Sequence, residues 1–427
     1  MDIHVVRQGE TLSAIANQYG VSAGLLAADN GIPTELPLIV GETLVVRYPE
    51  SIHTVVSGET VFSIAQEYGI SVLDLLRRNF VLQGKNEVYP GQTLVIAYRD
   101  PPTQVIGVNG YAYPYINIDL LDSVLPYLTY LTPFTYGIAN DGTLLPLGDT
   151  ELRAAAGYYR ATVLMHLSSL TESGQFSSER ASLLLRSEEL QENLIRSIIQ
   201  NLRRKNFYGL DIDFEYLAPQ DKDAYVAFIN KLRERLNPLG YPVIVALAPK
   251  TSADQPGLLY AAHDYRAIGE AANAVLLMTY EWGYTYGPPM AVAPIPEVRE
   301  VLDYAVTEID PSKIFLGIPL YGYDWTLPFE QGVTKAESVS PADAMELARE
   351  YGAEIEYDEE AQSPYFNYYG RSGHEHVVWF EDARSMKAKL DLVAEYGLQG
   401  ISYWNLTRSF PQNWALLDSI YDAEKLL

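Results

Sequence analysis

The sequence predicts an α/β protein: a (β/α)8 TIM barrel with a small α+β insertion between strands 7 and 8, preceded by two small βααβ units. Three observations predict this. From about residue 103, eight short apolar, β-rich runs alternate with helical stretches, the pattern of βα units around a parallel sheet. The stretch between the seventh and eighth runs is too long for one helix. Before residue 100 the chain instead repeats itself.

The repeat comes first in the chain. His4-Val5-Val6-Arg7-Gln8-Gly9-Glu10-Thr11-Leu12 recurs 49 residues later as His53-Thr54-Val55-Val56-Ser57-Gly58-Glu59-Thr60-Val61. Tyr19-Gly20 then matches Tyr68-Gly69, and Asn30 matches Asn79. Thr11 and Thr60 suit helix N-caps, and Gly20 and Gly69 stand where those helices should stop. Each unit reads as strand, helix, helix, strand. The pattern resembles LysM modules, at residues 1–48 and 52–98. The resemblance implies binding of N-acetylglucosamine-containing glycans such as peptidoglycan or chitin, with two linked sites giving avidity. It places the groove at Gly9, Thr11, Gly58 and Thr60 and at the stretch before each closing strand. Asn30 and Asn79 are candidate sugar contacts or structural turn residues. Short linkers at Tyr48-Pro49 and Asp100-Pro101-Pro102 predict few relative orientations.

The barrel should occupy residues 103–427. Its predicted strands are 105–109, 130–136, 162–167, 209–214, 243–248, 274–280, 314–319 and 400–404. The clearest amphipathic helices are 187–205 and 221–236. The predicted insertion is rich in Tyr365, Phe366, Tyr368 and Tyr369. An open doubly wound sheet would need a Gly-rich phosphate turn after the first strand, and Asn109-Gly110-Tyr111-Ala112-Tyr113-Pro114 lacks one. Chemistry in such barrels sits at the carboxyl ends of the strands.

Composition narrows the function. Hydrophobic residues make up 48%, enough for a large core. There are 30 Lys+Arg against 55 Asp+Glu, a net charge of −25, which argues against nucleic-acid partners. No cysteine is present, so disulfides, Cys-ligated zinc and a cysteine nucleophile are excluded. No apolar run reaches the roughly 20 residues that span a bilayer. The amino terminus lacks the basic and apolar regions of a signal peptide, which predicts synthesis without one.

Tyr208-Gly209-Leu210-Asp211-Ile212-Asp213-Phe214-Glu215-Tyr216 carries the chemistry. Spacing by two puts Asp211, Asp213 and Glu215 on one face of a strand and Leu210, Ile212 and Phe214 on the other. The acids should face the barrel interior. Crowded inward carboxylates raise one another's proton affinity, which suits a general acid at the barrel mouth. A metal site is the second reading, with His166 and Glu281 as the available further ligands.

The segment resembles the family 18 glycoside hydrolase signature Asp-Gly-x-Asp-x-Asp-x-Glu, with Tyr208 in place of the first Asp. Met278-Thr279-Tyr280-Glu281 is similar to that family's sixth-strand motif, with Glu for Asp, and Ser402-Tyr403-Trp404 to its eighth-strand tryptophan. Together with the two LysM-like units, the run through Trp282 to Pro289 resembles the cortical fragment-lytic enzymes of bacterial spores. The resemblance implies a retaining N-acetylglucosaminidase that uses substrate assistance. Glu215 would protonate the glycosidic oxygen while the sugar's acetamido oxygen attacks the anomeric carbon. Asp213 would hold the acetamido N–H, Asp211 would support Asp213, Tyr280 would fix the acetamido oxygen, and Trp404 would floor the ring. Glu281, Trp282, Tyr321 and Asn109 are further candidate substrate contacts at strand ends. His166 reads as a satisfied structural histidine, because this mechanism needs none. No cofactor or metal is required. The resemblance also implies a monomer acting on peptidoglycan in the spore, away from membranes. The competing readings are a chitinase of the same fold and a non-catalytic glycan-binding barrel.

Overall fold

The computed structural model describes residues 1–427. Eight parallel strands close into a barrel: β1 (Gln104–Ala112), β2 (Tyr130–Pro133), β3 (Thr162–Ser168), β4 (Gly209–Asp213), β5 (Val243–Leu247), β6 (Ala274–Leu277), β7 (Ile314–Pro319) and β8 (Gly400–Trp404). β8 closes on β1 with Gly400 opposite Gly107. A Cβ on Gly400 would lie 1.9 Å from the Gly107 carbonyl oxygen, so only glycine permits that approach. A short final strand, Tyr421–Ala423, runs parallel beside the start of β1.

The outer helices form as their sequences dictate. In Glu188–Lys205 the Ser187 hydroxyl caps the Leu190 N–H, acids occupy the first turn, and Arg203, Arg204 and Lys205 occupy the last. Leu194, Ile195, Ile198 and Leu202 form its buried stripe. No helix is long and apolar enough to cross a membrane. Between β7 and β8 lies a five-stranded antiparallel sheet with the helix Pro341–Tyr351, the α+β insertion.

Three strand ends differ from the sequence reading by three residues, and β2 is one of them, stopping at Pro133. β1 runs on to Ala112. β6 ends at Leu277, and Met278 to Tyr280 leave the ladder toward the mouth.

Each amino-terminal unit is an antiparallel strand pair, Asp2–Val5 with Thr43–Val46 and Pro49–Thr54 with Thr93–Tyr98, around two helices. The Asn30 side chain binds the Leu26 and Val45 carbonyls and the Val45 N–H, and Asn79 does the same with Leu75 and Val95. Both asparagines are buried and tie helix to strand. A second repeated network escaped the sequence reading. His4 bridges Tyr19 and Glu10, and His53 bridges Tyr68 and Glu59.

Both units are seated on the barrel. The buried Arg47 guanidinium lies 3.6 Å from the Tyr98 ring centroid and binds Asp418 at 2.6 Å on the helix Pro411–Ile420. Asp29 stands 3.6 Å from the same guanidinium. Arg77 lies 3.8 Å from Asp418 of the same helix and reaches Asp422, just beyond it, at 2.8 Å. One ion network thus joins both units to the carboxyl-terminal helix.

Candidate active site

The β4 alternation holds. Leu210, Ile212 and Phe214 are fully buried, and Phe214 stacks on Tyr225 and Phe228 of the helix Lys222–Leu236. The other face points inward, with Asp211 deepest and buried, then Asp213 and Glu215, both partly buried. Tyr208 lies below them at the opposite, amino-terminal end of the barrel, packed on Tyr130, so it takes no part in the acid row.

Each carboxyl has its own electrostatics. Burial pushes Glu215 up to about 8, and the Asp213 and Glu281 charges add to that. It is thus a carboxylic acid that still holds its proton near neutrality. Burial raises Asp211 to about 6, while His166 and the Tyr111 hydroxyl, 2.6 Å away, oppose the rise. Burial, followed by the nearby Asp213 and Glu215, holds the Tyr280 hydroxyl well above its ordinary range.

These groups open into a cleft of about 640 Å³ at the carboxyl ends of the strands. Asp213, Glu215, Tyr280, Glu281, Trp282 and Trp404 line it, as the sequence reading placed them. Trp404 is held edge-on by Tyr111, Tyr113 and Phe134. Glu281 has φ +71°, a left-handed backbone unusual for glutamate, and accepts hydrogen bonds from Tyr321 and Tyr323.

Other candidates lie elsewhere. Asn109 is buried one layer below the mouth, where it donates to Ser402 and accepts from Thr132. It braces three strands rather than facing the cleft. Tyr321 is buried and reaches Glu281, not the open space. The β4 acids do not converge with His166 and Glu281 into a ligand set. The one His/Asp/Glu group with ligand atoms mutually within 4.8 Å is His53, Glu59 and Glu67 in the second unit.

Several cleft residues were missed. Tyr111 shares the inward face of β1 with Asn109, a signal visible once the strand is extended, and Tyr113 follows just beyond its end. Phe134, Phe176, Tyr216 and Tyr260 come from loops, and sequence spacing gave no sign of them. His166, read from the sequence as a satisfied structural histidine, is bonded to Thr135 and stands beside the acids. Its Nε2 lies 3.6 Å from Asp213 Oδ2 and 3.9 Å from Asp211 Oδ2, inside the acid row.

A row of three inward acids with a proton-loaded glutamate at the mouth meets the matching family model, "Glycosyl hydrolases family 18", over residues 155–408. The chain belongs to family 18 of the glycosyl hydrolases. It is therefore a glycoside hydrolase. Residues 4–47 and 53–97 each match the LysM domain model. The chain is 43% identical to the cortical fragment-lytic enzyme of Bacillus subtilis (strain 168), covering 100% of this chain and 99% of that one. The crystal structure of the Bacillus megaterium QM B1551 spore cortex-lytic enzyme SleL superposes with a TM-score of 0.85 at 38% identity, over 100% and 99% of the two chains. A chitinase from Chromobacterium violaceum ATCC 12472 matches 74% of this chain and 98% of its own, at 28% identity and TM-score 0.69. The matched span includes Asp213, Glu215, Tyr280, Glu281, Trp282 and Trp404 of the cleft.

Proposed function

We propose that this chain is an N-acetylglucosaminidase that hydrolyses spore-cortex peptidoglycan, or fragments of it, during germination. The observation that carries this is Glu215, a partly buried acid held protonated beside Asp213 in an aromatic cleft. Relatives over the full length, named for cortical fragment lysis, supply the substrate class. Glu215 protonates the glycosidic oxygen, and Asp213 meets the acetamido N–H as the acetamido oxygen attacks the anomeric carbon. Asp211 orients Asp213, Tyr280 holds the acetamido oxygen, and Trp404 supports the ring. Trp282 and Glu281 bound the cleft. Water then enters on the same face, with Glu215 as base, and configuration is retained.

This chemistry demands a free acetamido group on the cleaved sugar. Muramic δ-lactam locks its carbonyl into a ring, so the bond cut is the one on the reducing side of N-acetylglucosamine. In the LysM modules the exposed turns at Gly9 and Thr11 and at Gly58 and Thr60 carry the sugar contacts. Asn30 and Asn79 have their amides committed to the backbone and act structurally. The site of action is the spore, and the working form is a monomer.

The test is digestion of purified cortex peptidoglycan by the wild type and by Glu215→Gln, read by mass spectrometry. Products ending in N-acetylglucosamine, absent with the variant, are expected. Products ending only in muramic residues would refute the assignment. Faster turnover of chitin oligomers than of cortex would favour the chitinase reading.

A further inference from the structure

The ladder between β4 and β5 stops just before Glu215. Leu210 faces Val243, Ile212 faces Val245, and the Leu210 N–H donates to the Pro242 carbonyl. A parallel ladder repeats this pattern at every second residue. Continued in register, it would set Phe214 opposite Leu247 and send the Ala248 N–H to the Phe214 carbonyl. The Ala248 N–H donates instead to His263 Nδ1 at 2.9 Å, and His263 Nε2 lies 3.1 Å from the Phe214 carbonyl oxygen. An imidazole thus stands between the two groups that the ladder would have joined.

Both bond directions are fixed by the backbone. An amide N–H only donates and a carbonyl only accepts. Nδ1 is therefore the bare nitrogen, Nε2 carries the hydrogen, and the ring is neutral. Burial, the largest influence, lowers its proton affinity, and Lys250 adds to that, against the Phe214 bond and the Asp213 charge.

The inserted ring is held in place. It is 1% exposed and packs beside the Tyr225 ring at 6.0 Å. Two residues on, the Tyr265 hydroxyl donates to the Ala248 carbonyl at 2.6 Å and accepts from the Lys250 N–H at 2.9 Å, which pins the β5 side of the gap. On the β4 side, Asp213 is the last residue in the ladder to β3, and Tyr216 turns away with φ +54°. Glu215 lies between them, on the peptide whose carbonyl His263 binds.

We propose that His263 is a positioning residue for the catalytic acid: standing in for one ladder bond, its imidazole sets the spacing of the β4 and β5 ends and so the reach of Glu215 toward the glycosidic oxygen. The proposal rests on the reading that Glu215 protonates that oxygen. Proton transfer needs hydrogen-bond reach, whereas binding of the sugar chain is spread over the whole cleft. A displaced Glu215 slows the departure of a sugar, which must leave protonated. It spares the departure of a nitrophenolate, which leaves as an anion.

The test compares kcat/KM, which reports the steps up to bond cleavage, on soluble cortical fragments and on the p-nitrophenyl glycoside of di-N-acetylchitobiose. The proteins are the wild type, His263→Phe and His263→Gln. Phenylalanine fills the gap and makes neither bond, whereas glutamine offers one acceptor and one donor. His263→Phe should lose about hundredfold on the fragments, the order that a small displacement of a reacting group costs. On the nitrophenyl glycoside it should lose less than about threefold. His263→Gln should recover to within about tenfold of the wild type on the fragments. An equal loss on both substrates, or no loss on either, would overturn the proposal. Should His263→Phe not fold, nitrogen NMR of ¹⁵N-histidine-labelled wild type decides. A neutral ring with its hydrogen on Nε2 supports the proposal, and a charged ring or a bare Nε2 refutes it. Glu215→Gln separates the two levels. If it turns over the fragments as the wild type does, the site reading itself fails. If it is inactive on them while His263→Phe loses equally on both substrates, only the present inference fails.

Discussion

Replacing Asp29 by asparagine should stabilise the protein, although it removes an ion-pair partner. Asp29 is buried where the two LysM modules meet the last helix, 3.6 Å from Arg47 and within 3.3 Å of the Tyr98 hydroxyl. Burial outweighs both attractions and raises its carboxyl from 3.8 to about 6. The native state thus holds this proton more tightly than the unfolded chain does. Its contribution to stability is fully present below pH 4 and is lost as pH rises through 6. A shift of about two units corresponds to about 3 kcal/mol lost above pH 7. Asparagine mimics the neutral carboxyl and carries no such loss. Asp29→Asn should therefore exceed the wild type by about 1–3 kcal/mol at pH 8. Roughly half of that advantage should be gone at pH 5. Arg47→Met should do the opposite, costing about 3–5 kcal/mol because Asp418 then loses its buried partner. Urea unfolding, with hydrogen exchange at the Leu44 and Val45 amides, measures all three proteins. A variant less stable than the wild type at pH 8, or a gap equal at both pH values, would show that the network is net attractive and refute the reasoning.

Two further outcomes follow from the same structure. Glu281→Gln keeps an acceptor for Tyr321 and Tyr323 but removes a charge that raises Glu215, so the basic limb of kcat should move to lower pH. An unmoved limb would mean that Glu281 does not reach Glu215 electrostatically. Asn79→Ala strands the Val95 N–H and two carbonyls in the second module, costing about 2–4 kcal/mol. Calorimetry should place that loss in the module's transition and leave kcat on short soluble fragments unchanged.

Much of this was legible in the sequence because two periodicities are strict. Alternation by two put Asp211, Asp213 and Glu215 on one face of β4, and the recurring turn residues exposed the tandem units. What failed, failed for tertiary reasons. Asn109 stands at the end of the predicted strand, but β1 continues three residues further and leaves it a layer too deep. His166 gave no local sign of its neighbours, because they come from the next strand and from the loop at Thr135. Asn30 and Asn79 were open between two roles until the carbonyls they bind came into view.

The ion network at Arg47 fixes more than stability. Modules tethered by flexible linkers would search a volume, and their gain in local concentration would fall smoothly with distance. Modules seated on the barrel by Arg47 and Arg77 cannot search. The enzyme is then a calliper: the offset from the module turns at Thr11 and Thr60 to Glu215 is a constant of the molecule. A strand long and straight enough to span that offset gains from every contact at once, and a shorter product gains from none of them. Release after cutting would thus be set by length rather than by chemistry.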